Sequence, residues 1–267
     1  MAAAGQGGYL PLRRDLDESS PVSAALRAGR RIAGLSRQLG EVMLLEAPAL
    51  PPGDDGRRGR GALLARHAAR ACVEHGIRVD ARGPTPPAGC VLVANHLSYV
   101  DPLLLAGVAP CVAIAKGEIS SWPVLGRVLG ALGLLFVRRG DAASGAVVLR
   151  GAIRALRAGV GVVNFPEGTT TAGDRLLPFR RGIFGAARIV GAPVVAASVR
   201  FDDPELCWVG GATFGPHYLR TVRRLESRVT VSFSPPLDAR AFRSADALAT
   251  HVREHLACEL GVPLAAG

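Results

Sequence analysis

Residues Val91–Gly107 read VLVANHLSYVDPLLLAG, and the change of pattern inside that stretch decides the fold. Val91 to Ala94 is a short, wholly apolar run rich in valine, the composition of a strand buried on both faces. It empties into Asn95 and His96, at the carboxyl edge where open α/β sheets place their ligands. Asp101 precedes Pro102, and a residue before proline is disfavoured in the α region. A helix is therefore expected to open there, with Asp101 as its cap and Pro102 as its first residue. A histidine gripped by a carboxylate is an arrangement that pulls a proton from a hydroxyl. The five-residue spacing lets His96 and Asp101 meet locally, although a helix cap and an ordinary loop histidine would also account for the two residues.

Further strands are predicted at Val112–Ala115, Leu134–Val137, Val160–Phe165, Val194–Val199 and Val229–Phe233. Between the second and third of these, Ser144–Ala158 carries a helical apolar stripe, Val148, Ile153 and Leu156, opposite Arg150, Arg154 and Arg157. Ala245–Leu260 closes the chain as a helix. Strand–helix–strand repetition of this kind implies an α/β fold, a mixed, largely parallel sheet flanked by helices. Upstream, ALLARHAARACVEH (Ala62–His75) has helical spacing and Gly76 to cap it. The compact domain is therefore placed at residues 61–267. Residues 1–60 are rich in Gly, Pro, Ala and Arg and read as a partly disordered appendage, with one helix from about Ser23 to Leu45 and a linker, PALPPGDDGRRGRG, at 48–61.

A second strand end carries chemistry. Val160–Phe165 runs into Pro166, Glu167, Gly168 and three threonines, Thr169 to Thr171. Such a turn offers backbone N–H groups, hydroxyls and a carboxylate in one place, suited to a polar head group, although strand–Pro–Glu–Gly is also an ordinary turn.

The 32 basic residues outnumber the 22 acidic ones, and a single lysine, Lys116, leaves 31 arginines. A formal charge of +10 predicts an anionic partner. Single-stranded nucleic acid is recognised by aromatics interleaved with basic residues; Arg57, Arg58 and Arg60 lie in a stretch with none, so no nucleic acid is expected. An anionic membrane surface, which attracts each basic residue by about 1 kcal/mol, fits better. The five cysteines are scattered and form no C-x-x-C pair, which argues against a zinc site or disulfide scaffold and favours a reducing cytoplasm. The first twenty residues contain acidic side chains and no apolar core, so no export signal is expected. The longest apolar run, Ile119–Val137, approaches the roughly 20 residues that span a bilayer but contains Pro123 and Arg127, so it reads as a surface-lying or buried segment. The remaining histidines show no H-E-x-x-H or comparable ligand set, and no metal is expected.

Taken together, NHLSYVD and FPEGT, in that order and about 70 residues apart, resemble the glycerolipid acyltransferases over roughly Ala62–Leu260. The family's N-H-x-x-x-x-D block falls on Asn95, His96 and Asp101, and its F-P-E-G-T block on Phe165–Thr169. The resemblance implies that His96 and Asp101 are catalytic. It places an acceptor-phosphate role on Arg139 within GLLFVRR, with Arg138 beside it as a substitute, and matches a later basic pair with Arg180 and Arg181 after Pro178 and Phe179. Lys116 with Glu118 fits a K-x-E often seen in these proteins, and Glu167, Gly168 and Thr169 are implied in holding the acceptor. Thr170 and Thr171 depart from the arginine or serine that many relatives show after the second block.

The resemblance implies acyl transfer to the hydroxyl of a lyso-lipid acceptor, foremost the lysophospholipid 1-acyl-glycerol-3-phosphate, with a lyso-aminolipid such as lyso-ornithine lipid, or another lyso-lipid, as the alternative. Acyl-CoA or acyl carrier protein serves as co-substrate and no cofactor is needed. The location implied is the cytoplasmic face of the membrane, held peripherally or monotopically. Two rivals remain: a hydrolase, disfavoured because no G-x-S-x-G is present and Ser98 sits on the same short loop as His96, and a catalytically silent basic membrane-binding module.

Overall fold

A computed structural model describes residues 20–266. The reading of the chain's start as lacking an export signal and, for residues 1–19, the partial disorder expected of residues 1–60 lie outside the described residues. Two helices open the described chain, α1 (Pro21–Glu41), prolonged by a π turn at Val42–Glu46, and α2 (Gly53–Glu74). Then come β1 (Ile77–Arg82), β2 (Val91–Ala94), α3 (Asp101–Val108), β3 (Cys111–Lys116), α4 (Leu125–Ala131), β4 (Leu135–Val137), α5 (Ala142–Arg157) and β5 (Gly161–Asn164). The chain finishes with α6 (Gly182–Val190), β6 (Pro193–Phe201), α7 (Phe214–Arg223), β7 (Ser227–Phe233), β8 (Leu237–Asp238) and α8 (Ala245–Leu260).

The eight strands form one sheet in the order β1-β7-β6-β2-β5-β3-β4, with β8 beside β6. Only the β6–β7 and β6–β8 pairings are antiparallel. This is the mixed, largely parallel sheet that the strand–helix alternation predicts. Alternate residues of the central strands feed two cores. Leu92, Ala94, Val163 and Val195 pack with residues of α2 and α3 on one face. Val91, Val93, Val162 and Val194 pack with residues of α5, α6 and α8 on the other. Because both faces are covered, β2 is buried along its whole length, which is why it reads as a continuous apolar run and not as an alternating one.

Several expectations need correction. Residues 53–60 are the first two turns of α2, so the boundary expected near residue 60 falls inside a helix. Glycine suits this helix because it packs closely: a Cβ on Gly61 would lie 3.0 Å from Val160, and one on Gly107 of α3 would lie 3.2 Å from the backbone of Ala69. The Ile119–Val137 run is a 3-10 turn, the short α4 and β4 in succession. No helix among the described residues is long and apolar enough to cross a membrane. β1 and β8 were not foreseen. α1 is fastened to the domain through Arg31, whose buried guanidinium donates to the carbonyls of Glu74, Val222, Arg224 and Leu225.

Candidate active site

β2 and β5 are parallel neighbours, with Leu92 beside Val163 and Val93 beside Asn164. Their carboxyl ends therefore deliver the NHLSYVD loop and the FPEGT turn side by side, although 71 residues separate His96 from Glu167 in the chain. Asn95 fixes the start of the loop by exchanging two hydrogen bonds with the backbone of Val199 on β6, 2.8 and 3.0 Å long.

His96 Nδ1 lies 2.8 Å from Asp101 Oδ2. A carboxylate there fixes the ring proton on Nδ1 and leaves Nε2 as the basic nitrogen. The expected cap geometry differs: Val100 takes the cap position, and Asp101 is the first residue of α3 with its carboxylate turned back into the preceding loop. Oδ2 also accepts the backbone N–H groups of Leu97, at 2.6 Å, and Ser98, at 2.8 Å. The Asp101 side chain is wholly buried, that of His96 is 17% exposed, and the imidazole stacks on Phe165 with ring centres 4.1 Å apart. The imidazole is thus oriented by a carboxylate and an aromatic face while one edge stays open to a cavity.

Glu167 joins the two loops. One of its oxygens accepts the N–H of His96 and the other that of Leu177, each at 3.0 Å. Burial raises its pKa above the ordinary carboxylate value, opposed by these two hydrogen bonds. Gly168 turns with φ +74°, and a Cβ at that position would press on the Arg180 guanidinium at 3.2 Å. The Arg180 backbone N–H in turn bonds Pro166 O at 3.0 Å, drawing the Phe179–Arg180 segment against the turn.

A cavity of about 720 Å³ begins at His96, within the size range of small-molecule sites. Lys116, Arg139, Gly168, Thr169 and Arg180 all line it, while Asp101 and Glu167 lie outside its lining and reach it through their bonds to His96. Arg138 does not line the cavity; its exposed side chain is paired with Asp141 at 3.0 Å. Lys116 is half-exposed and holds Glu118 at 3.1 Å. Arg139 and Arg180 pair with no carboxylate among the described residues. Burial lowers the pKa of Arg139, and the neighbouring charge of Arg180 lowers it further, against a smaller opposite pull from Glu118. Two cations that repel one another at a cavity wall are a ready seat for an anion. The rest of the lining is mostly apolar, including Leu35 and Leu39 of α1, Val42, Leu64 and Cys72 of α2, Leu103 of α3, and Val128 and Leu129 of α4. α1, read from sequence as part of an appendage, thus supplies part of the cavity wall.

Sequence reasoning passed over Tyr99, Trp208, Phe214 and His217, which cluster against the loop carrying His96. His217 was considered only as a metal ligand, and no group of metal-ligating side chains occurs among the described residues.

These features place a paired histidine and carboxylate at the carboxyl edge of an α/β sheet, opening on an amphipathic cavity. The model of the Acyltransferase family matches residues 76–200. A lyso-ornithine lipid O-acyltransferase of Pseudomonas aeruginosa is 30% identical over 226 residues, covering 83% of this chain and 87% of that protein. The chain belongs to this acyltransferase family. A 1-acyl-sn-glycerol-3-phosphate acyltransferase of Neisseria gonorrhoeae is 34% identical over 161 residues, or 60% of this chain, and the match spans about three-fifths (62%) of that relative's length. The solved structure of the 1-acyl-sn-glycerophosphate acyltransferase PlsC of Thermotoga maritima shares the fold, with a TM-score of 0.66 and 21% identity over 90% of this chain and 95% of that one.

Proposed function

We propose that this protein transfers a fatty acyl group from the thioester of acyl-CoA or acyl carrier protein to the hydroxyl of a lyso-lipid, foremost 1-acyl-glycerol-3-phosphate, giving phosphatidate. The observation that carries this reading is the cavity itself, which sets an oriented base, two unpaired arginines and an apolar hollow within one space. An amphiphile with an anionic head and a free hydroxyl satisfies all three.

In this mechanism His96 Nε2 takes the proton of the acceptor hydroxyl. The oxygen attacks the thioester carbonyl, the C–S bond breaks, and the departing thiolate receives the proton from His96. Asp101 stabilises the imidazolium between these steps. Arg139 and Arg180 hold the phosphate, Thr169 and Gly168 border the head group, and Lys116 lies at the cavity wall. Placing hydroxyl and thioester together lowers the barrier by several kcal/mol.

A lyso-ornithine lipid is the second acceptor, favoured by the near full-length alignment with the Pseudomonas aeruginosa relative. The membrane contact is peripheral or monotopic, on the cytoplasmic face. Val22 and Leu26 at the start of α1, and Leu44 and Leu45 at the π turn that prolongs it, are exposed apolar side chains available to such a contact.

The test is thiol release from a long-chain acyl thioester, with and without lysophosphatidate or lyso-ornithine lipid, for wild type and His96→Ala. Acceptor-dependent release lost in the variant is the expected result. Release that ignores the acceptor would make the protein a thioester hydrolase. No release from either donor with either acceptor would leave a basic membrane-binding module.

A further inference from the structure

The backbone of His96 and Leu97 is held at four consecutive points. His96 N–H donates to Glu167, His96 O accepts from Thr171 N–H at 2.8 Å, Leu97 N–H donates to Asp101, and Leu97 O accepts from Trp208 N–H at 2.7 Å. The first three partners belong to the two strand-end motifs. The fourth comes from outside both, from the chain between β6 and α7.

That segment is itself tied on both sides. Trp208 O accepts the Thr170 hydroxyl at 2.5 Å, so the peptide groups of Trp208 bridge the loop of His96 and the turn after β5. Its indole Nε1 donates to Ala212 O at 2.7 Å, and its ring stands edge-on to Tyr99. Immediately before it, Cys207 O accepts from His217 Nε2 at 3.3 Å. A carbonyl only accepts, so Nε2 carries the ring proton, and the Tyr99 hydroxyl, 3.1 Å from Nδ1, donates to the bare nitrogen. His217 is 2% exposed, and Tyr99 lies three residues beyond His96.

We infer that the Cys207–Trp208 segment, held by Thr170 and His217, is a positioning strap that sets the height of His96 in the cavity. Thr170 and His217 are its anchoring residues for the proposed transfer. The inference rests on His96 being the base of that reaction.

Thr170→Val keeps the shape of the side chain and removes the donated hydrogen bond, and Thr170→Ser keeps the bond. Loss of the bond lets the Leu97 carbonyl and the imidazole shift, and displacements of this kind lower turnover more than binding. The Thr170→Val variant is expected to lose about tenfold in kcat with KM for both substrates within twofold, and Thr170→Ser to recover most of it. His217→Phe, which fills the site but removes both bonds, is expected to act in the same sense. Together with Thr170→Val it should cost less than the product of the two single effects, because both anchors serve one segment.

Amide hydrogen exchange reads the strap without any substrate. Exchange at the Trp208 and Thr171 amides should quicken at least tenfold in Thr170→Val while α5 and α8 stay protected. Unchanged exchange, unchanged kcat, or a rise in KM alone would overturn the inference; the last would make Thr170 a ligand contact. If wild type transfers no acyl group, the proposed function fails by that result alone, while the exchange rates still decide whether the strap exists.

Discussion

Around His96 a carboxylate, a glutamate and two amides pin down the backbone N–H and carbonyl groups of His96 and Leu97, whereas Arg139 and Arg180, on the same cavity, pair with no carboxylate among the described residues. The backbone of the first region is fixed before a ligand arrives, and the charges of the second stay unpaired until one does. A group that must receive a proton along one direction gains from being fixed, since its misplacement slows the reaction. Groups that recognise a charge gain from keeping their hydrogen-bonding capacity free, since pairing it internally would have to be undone on binding.

If that division holds, substitutions in the fixed region should change turnover and those in the open region should change binding. His96→Ala should bring the largest effect, a fall in kcat of roughly 10³-fold with little change in thermal stability, because the imidazole makes one side-chain hydrogen bond and stands partly exposed. A variant that kept wild-type turnover would remove His96 from the chemistry. Asp101→Asn follows, with kcat reduced roughly 10²-fold as the carboxylate that fixes the tautomer is lost. Asp101→Ala should in addition destabilise the fold by about 2–4 kcal/mol in urea unfolding, since two buried N–H groups lose their acceptor.

The open region gives the third prediction, and its contrast is internal. Arg139→Ala should raise KM for an anionic acceptor about tenfold to a hundredfold and leave KM for the acyl thioester nearly unchanged, the value of a charge-assisted bond to phosphate. Arg138→Ala should stay within twofold, because that side chain is exposed and already engaged with Asp141. Equal effects from the two arginines, measured by steady-state kinetics over a range of acceptor concentrations, would erase the distinction between rim and seat.

Local pattern made part of this visible in the sequence. The strand end at Ala94, the pairing of His96 with Asp101 and the closing helix at Ala245–Leu260 follow from short-range patterns, and the structure has them, while the strand expected to reach Phe165 stops one residue short, at Asn164. What spacing could not supply was anything set by register or by distant packing. That Glu167 reaches the N–H of His96 depends on β5 lying beside β2, which no single strand announces. β1 escaped notice because its IRVDAR alternates charged residues on an exposed edge, and β8 because two residues carry no period. The start of α2 was hidden by glycines that weaken helices in isolation and are retained here for close packing. Trp208 and His217 belong to no motif, and their part in the site comes from folding the chain after β6 back over the loop of His96.

Glu167 offers the smallest and most discriminating test, since it belongs to the fixed region yet carries a charge. Burial raises its pKa in the folded protein above the value of about 4.5 that it would have unfolded. Between those two values the folded chain binds a proton that the unfolded chain does not, so unfolding free energy should increase as pH falls through the folded pKa toward 4.5, and decrease as pH rises back. Glu167→Gln removes the titration, so the variant's own pH–stability curve should lack this term and the difference between the two curves should carry it. The substitution also replaces one of two acceptor oxygens by an NH2 group, leaving either the His96 or the Leu177 N–H unpaired, so the variant should be less stable than wild type by about 1–3 kcal/mol at neutral pH. Urea titrations of both proteins between pH 4.5 and 7 measure the offset and the slope separately. An offset without a change of slope would mean that Glu167 acts as an acceptor whose charge is paired on folding, and the fixed region would then be held by hydrogen bonds alone.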